Sequence, residues 1–193
     1  MTLRSSQPAL LVVTGASGAG KTTLVRGVEV LGIPGVGCYY FDSIGVPSHE
    51  EMTSRFGSPR QWQVAALNHW ISLLLCNEDS VQVAVLDAQV RPSDVRVAFE
   101  CLGAYLTQIV LIDCSHAERN ARLQGPRAQP ELANAEMDCW AAYLRGQASA
   151  LALPIVSTTQ LPPEDAVSSL IVHIQDLVQR QLQFTVTTKR QSL

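Results

Sequence analysis

Residues 10–24 read "LLVVTGASGAGKTTL", and this stretch decides how the chain folds. "LLVVT" is apolar on both faces, as a strand inside a covered sheet must be. Gly15, Gly18 and Gly20 then let the backbone curl, and "KTTLVRGVEVL" continues with helical spacing. Gly15-Ala16-Ser17-Gly18-Ala19-Gly20-Lys21-Thr22 fits G-x-x-x-x-G-K-[ST] between a strand and a helix. Such a loop turns successive N–H groups inward, and with the positive end of the following helix it cradles a polyphosphate. Residues 15–22 together with Thr23 are therefore the predicted nucleotide cradle. Lys21 bridges the β- and γ-phosphates, and the Thr22 hydroxyl holds Mg2+. Lys21 is one of only two lysines; the other, Lys189, lies near the C-terminus as solvated charge.

Composition limits what surrounds that loop. The 193 residues are 47% hydrophobic and 16% charged, which predicts one globular domain over 1–193, its core spanning about 9–178. The net charge of -3 offers no footprint for duplex nucleic acid, so an anionic ligand must be held by local cations. "MTLRSSQPAL" does not read as a secretory signal, and no apolar run approaches a membrane span of about 18 residues. Five cysteines without a C-x-x-C pair, mostly among apolar neighbours, predict buried free thiols in a reducing, cytoplasmic setting.

Apolar runs at 9–14, 37–42, 81–87, 107–113 and 153–158 read as strands, alternating with helical patterns at 21–31, 61–76, 92–103, 115–124, 131–151 and 163–183. That alternation predicts an α/β fold, a doubly wound parallel five-stranded sheet with helices on both faces. Ser115 and Glu118 suggest a capping box, "PPED" at 162–165 a helix start, and residues 184–193 a flexible tail.

In an open parallel sheet ligands gather beyond the carboxyl ends of the strands, which brings two acids beside Lys21. Asp87 ends the third strand, where it would hold magnesium directly or through water; Asp42 ends the second, where it could orient a hydroxyl and accept its proton. Arg119 and Arg122 lie three apart on one helix, and Gly125-Pro126 breaks that helix to leave Arg127 on a mobile segment. These define a small lid over about 119–130, with Arg122 and Arg127 able to close over a phosphoryl group.

Taken together, the loop at 15–22, Asp42, "LDAQVRPSDVRVAF" (86–99), "IVLIDCSHAERNARLQGPR" (109–127) and "LPIVSTTQLPPEDAVSSLI" (153–171) resemble the small P-loop kinases. That group includes nucleoside monophosphate, shikimate and gluconate kinases and the polynucleotide-kinase and zeta-toxin-like enzymes. The resemblance implies the three-layer P-loop NTPase fold, Mg-ATP as donor and a small-molecule acceptor. It implies that Asp42 is substrate ligand or general base, that Arg122 and Arg127 are lid arginines, and that Ser157, Thr158 and Thr159 lie where the adenine passes; Arg119, from its place on the helix, is a further candidate for contact with the nucleotide. Asp42 is not followed by the arginine of polynucleotide kinases, and no monophosphate-binding arginine motif is present, so the acceptor stays open.

Residues 43–70 occupy the usual place of a substrate cap, with Arg55 and Arg60 as candidate acceptor ligands and Trp62 and Trp70 as a conceivable stacking surface for single-stranded nucleic acid. The favoured reading is an ATP-dependent phosphotransferase. The alternatives are a nucleotide-binding switch or regulatory ATPase acting on a protein partner, and a binding module that has lost catalysis. No N-K-x-D guanine motif is present.

Overall fold

In the computed structural model, which describes residues 7–76, 81–102 and 106–191, five strands form one sheet. They are β1 (Ala9–Thr14), β2 (Val36–Tyr40), β3 (Val83–Asp87), β4 (Thr107–Asp113) and β5 (Ile155–Ser157). Their order is β2-β3-β1-β4-β5, and every pair is parallel. Seven helices connect and cover them: α1 (Lys21–Val30), α2 (His49–Phe56), α3 (Pro59–Leu75), α4 (Pro92–Leu102), α5 (His116–Gln124), α6 (Ala135–Ala150) and α7 (Pro163–Gln191). This is the doubly wound three-layer architecture expected from the sequence.

Alternation along the strands divides the core. Leu11, Val13, Val85 and Ile112 face one way and pack on Leu24, Val25 and Val28 of α1 and on Leu170, Ile174 and Leu177 of α7. Leu10, Val12 and Leu86 face the other way, against Trp62, Leu67, Trp70 and Ile71 of α3 and Val95 and Phe99 of α4. A third patch joins Leu111 to Leu144 and Ala148 of α6. Burying each such aliphatic side chain stabilises the fold by about 1.5–3 kcal/mol.

The register aligns the functional end of the sheet. Asp87 pairs with Val13 on one side and Tyr40 on the other, so Thr14, Asp87 and the residues after Tyr40 share one edge. Asp42 itself lies on a 3-10 turn, Phe41–Ile44, because β2 ends two residues before the sequence pattern suggested.

Other departures have local causes. Helix α2 falls in the expected cap segment and carries a complete capping box between Ser48 and Glu51. At α5 the Ser115 hydroxyl accepts from Glu118 N, but the Glu118 carboxylate takes Arg122 and the Gln160 N–H instead of closing the box. Helix α7 continues to Gln191, through residues expected as a tail. Cys114 is buried and Cys38 half-buried, whereas Cys76, Cys101 and Cys139 are exposed at the end of α3 and on α4 and α6. No helix among the described residues is long and apolar enough to cross a membrane. The first six residues, position 103, the side chains of Lys189 and Arg190, and residues 192–193 lie outside what is described.

Contact between α1 and α7 hinges on Gly27, where an added Cβ would stand 2.5 Å from Val167 Cγ2. Gly27→Ala should destabilise the fold by about 1–3 kcal/mol in urea unfolding, despite the helix propensity of alanine. Val167→Ala introduced beside it should restore most of the loss; equal destabilisation in the double variant would contradict this contact.

Candidate functional site

The glycine-rich turn between β1 and α1 closes as a loop whose backbone is tied to the rest of the sheet edge. Gly18 and Gly20 adopt φ of 79° and 102°, the left-handed region that favours glycine. At Gly15 a Cβ would stand 2.3 Å from the Ile112 carbonyl oxygen, so the turn rests directly on β4.

Lys21 is the first residue of α1, buried, and its Nζ donates to Ala16 O at 3.2 Å within the loop. Burial pushes its ammonium below the ordinary lysine value, against the pull of Asp87 and Asp42. Thr22 Oγ1 donates to Asp87 Oδ2 at 2.5 Å. Burial raises the Asp87 carboxyl above the usual carboxylate range; Lys21 and the Thr22 hydroxyl oppose that rise, and Asp42 adds to it. Lys21, Thr22, Asp87 and Asp42 thus form one electrostatic group. Asp42 is exposed and makes no side-chain hydrogen bond or ion pair among the described residues.

Above the loop lies a cavity of about 580 Å³ lined by Gly18, Gly20, Thr22, Thr23 and the arginines Arg26, Arg122 and Arg127. The two sequence-predicted lid arginines behave differently. Arg122 is held by Thr158 Oγ1 and Thr158 O, each at 2.8 Å, and by Glu118 at 3.2 Å. Among the described residues the Arg127 guanidinium bonds only the neutral Gln129 side chain, at 2.7 Å, and its charge reaches both Lys21 and Asp87. Its segment is a stitched turn, with Arg127 N donating to Arg122 O and Gln129 N to Leu123 O, in place of the loose segment expected.

Two expected nucleotide contacts are occupied elsewhere. Thr158 is buried, donates its hydroxyl to Ala19 O at 2.8 Å and its N–H to Asp113 O at 2.8 Å, and so braces the loop from below. Arg119, only 2% exposed, packs its stem under Gly18 and pairs with Asp138 of α6, leaving no open face for a base. The tryptophans offer no stacking platform either: Trp62 and Trp70 are buried in the core, and Trp70 Nε1 donates to Phe41 O at 3.0 Å. Arg55 lies over the Phe56 ring, and Arg60 is paired with Asp94 at 2.9 Å.

Sequence reasoning missed the neighbouring cleft, about 770 Å³, walled by α2, α3, the segment after β3, and α6. Gln89 lines it and accepts from Ser17 Oγ of the loop at 2.9 Å, so the cleft abuts the glycine-rich turn. Phe41, the residue before Asp42, meets another wall residue, Trp62, edge-on at 5.9 Å. Gln89 and Arg91 stood within a quoted motif, but nothing local distinguishes a cleft-lining glutamine from a surface one.

No protein-family model matches the chain, and comparison with curated protein sequences gives no match. Solved structures do match over nearly the whole chain. A shikimate kinase from Acinetobacter baumannii, in complex with shikimate, superposes at TM-score 0.57 with 14% identity, covering 89% of this chain and 95% of that one. A deoxyadenosine kinase from M. mycoides gives TM-score 0.57 at 11% identity, over 86% and 99% of the two chains. A gluconokinase from Sinorhizobium meliloti 1021 gives 0.51 at 16% identity, over 96% and 98%. The fold is that of the P-loop small-molecule kinases.

Thr158→Val keeps the shape of the side chain but removes the hydroxyl that donates to Ala19 O and accepts from Arg122 Nη1. It should cost about 1–3 kcal/mol in urea unfolding. Unchanged stability would show that Thr158 does not brace the loop.

Proposed function

We propose that this chain is a magnesium-dependent kinase that moves the γ-phosphoryl group of ATP to a hydroxyl of a small molecule. The observation that carries the reading is the Thr22–Asp87 contact of 2.5 Å at the mouth of the cradle, within the field of Lys21 and Asp42. The structural likeness to kinases of nucleoside, shikimate and gluconate supports it, and the fold tolerates chemically different acceptors.

Thr22 and Asp87 fit a hard divalent cation, because both offer oxygen and the raised carboxyl gains a counter-charge. A magnesium ion held by these two residues would supply positive charge against the phosphate oxygens. Residues 15–23 hold the polyphosphate through backbone N–H groups. Phosphate charge favours the protonated form of Lys21, which burial alone disfavours. Asp42 accepts the proton of the acceptor hydroxyl as its oxygen bonds to the γ-phosphorus and the bond from that phosphorus to ADP breaks. Arg127, with no ion pair among the described residues, approaches the transferring group, while Arg122 fixes the loop beneath it. The acceptor enters by the 770 Å³ cleft, with residues 43–70 supplying part of its wall.

Asp42→Asn should lower kcat by about 10²–10⁴-fold while the Kd for Mg-ATP, followed by calorimetry, changes less than about threefold. Lys21→Ala should reduce transfer by at least about 10²-fold with the fold intact by circular dichroism. An Asp42→Asn variant with wild-type kcat would remove Asp42 from the chemistry, and full activity in Lys21→Ala would contradict the assignment as a whole.

A further inference from the structure

The cleft beside the cradle holds a guanidinium that pairs with no acid among the described residues. Arg91 lines it and is half-buried. Its Nη1 donates to Gln63 Oε1 at 3.2 Å, and the Gln63 amide is fixed in that orientation because its Nε2 donates to Gln89 O at 2.8 Å. The Arg91 guanidinium carbon lies 4.9 Å from the ring centroid of Trp140 and 5.9 Å from that of Tyr143, two rings stacked at 5.5 Å. Every one of these partners is neutral.

The other charges of the cleft do not change this. Arg60 at the rim is committed to Asp94, and Glu136 makes no ion pair with Arg91. A guanidinium carries five N–H donors, of which one is used here. Its planar fork matches two oxygens of one oxyanion, and the aromatic faces hold it in a single orientation without neutralising it. An uncharged ligand filling the cleft would strip water from Arg91 and return no counter-charge, which is unfavourable. Gln89 connects this subsite to the cradle, since its backbone carbonyl anchors Gln63 and its side chain accepts from Ser17.

We propose, resting on the phosphotransferase reading above, that the acceptor is an alcohol bearing an oxyanion, a carboxylate or a phosphate monoester, which Arg91 binds while the hydroxyl faces Asp42. Charge pairing at Arg91 then selects among hydroxylated molecules, and the stacked Trp140 and Tyr143 keep the guanidinium aimed. The product carries two anionic groups, the one that Arg91 holds and the phosphoryl group newly esterified to the hydroxyl oxygen.

Tryptophan fluorescence tests the subsite directly, because Arg91 lies against Trp140. With Mg-ADP present, the protein is titrated with glucuronate, glucose 6-phosphate and glucose, and with glycerate, glycerol 3-phosphate and glycerol. At least one anion should give a saturable change with a Kd about tenfold or more below that of its neutral partner. Arg91→Gln should raise that Kd by about 10–100-fold, with Arg91→Lys falling between. The tighter of the carboxylate and phosphate arms identifies the oxyanion. Equal binding of neutral and anionic partners, an unchanged Kd in Arg91→Gln, or no response to any anion would overturn the proposal. Transfer from radiolabelled ATP to the same compounds is scored separately. Anion-selective binding with no transfer upholds the Arg91 subsite and counts against the kinase reading, whereas transfer without anion preference does the reverse.

Discussion

Lys21 is an ammonium with 7% of its surface exposed, set at the start of a helix whose other buried residues are aliphatic. A buried cation is costly unless carboxylates and dipoles surround it, and the arrangement of the sheet edge follows from that requirement. Asp87 is brought close by the register of β3 against β1, Ala16 offers its carbonyl, and the 3-10 turn after β2 sets Asp42 within the same field. Asp87 in turn is held above its ordinary proton affinity by burial, so the group is electrically unfinished in both directions. In the proposed reading a polyphosphate with its cation would complete it, supplying negative charge to Lys21 and positive charge to Asp87.

The remaining cations divide into those that build the site and those left available to it. Arg119 and Arg122 are tied down, one to Asp138 of α6 and the other to Thr158 and the loop carbonyls, and both press on the backbone of the glycine turn. Arg127 and Arg26 line the cavity without an ion pair among the described residues. Local cation density of this kind gives a chain of net charge -3 a positive cavity wall despite its overall sign.

Legibility in the sequence followed the range of the interaction. The glycine-rich turn between β1 and α1 was readable because eight consecutive residues specify it, and the place of Asp87 beside it because a strand ending in an acid is a local pattern. Thr158 was not assigned its bracing role, since its partner Ala19 lies 139 positions away. Arg119 was misassigned for the same reason: its ion pair is with Asp138, on a helix whose docking no local signal reveals. The capping box at Ser48 did carry a local signature, S-x-x-E, and could have located α2. The cleft needed α3, α6 and the β3–α4 connection together, so Arg91 could not be told from a surface arginine.

Phosphoryl transfer itself is the central claim, and the fate of the γ-phosphate tests it most directly. Purified protein incubated with magnesium, ATP radiolabelled at the γ-position and a fractionated pool of small metabolites should move the label into an organic phosphomonoester, and Lys21→Ala should abolish that product. Label appearing only as inorganic phosphate, at a rate indifferent to the pool and raised by a protein partner, would contradict the account and make the chain a regulatory ATPase.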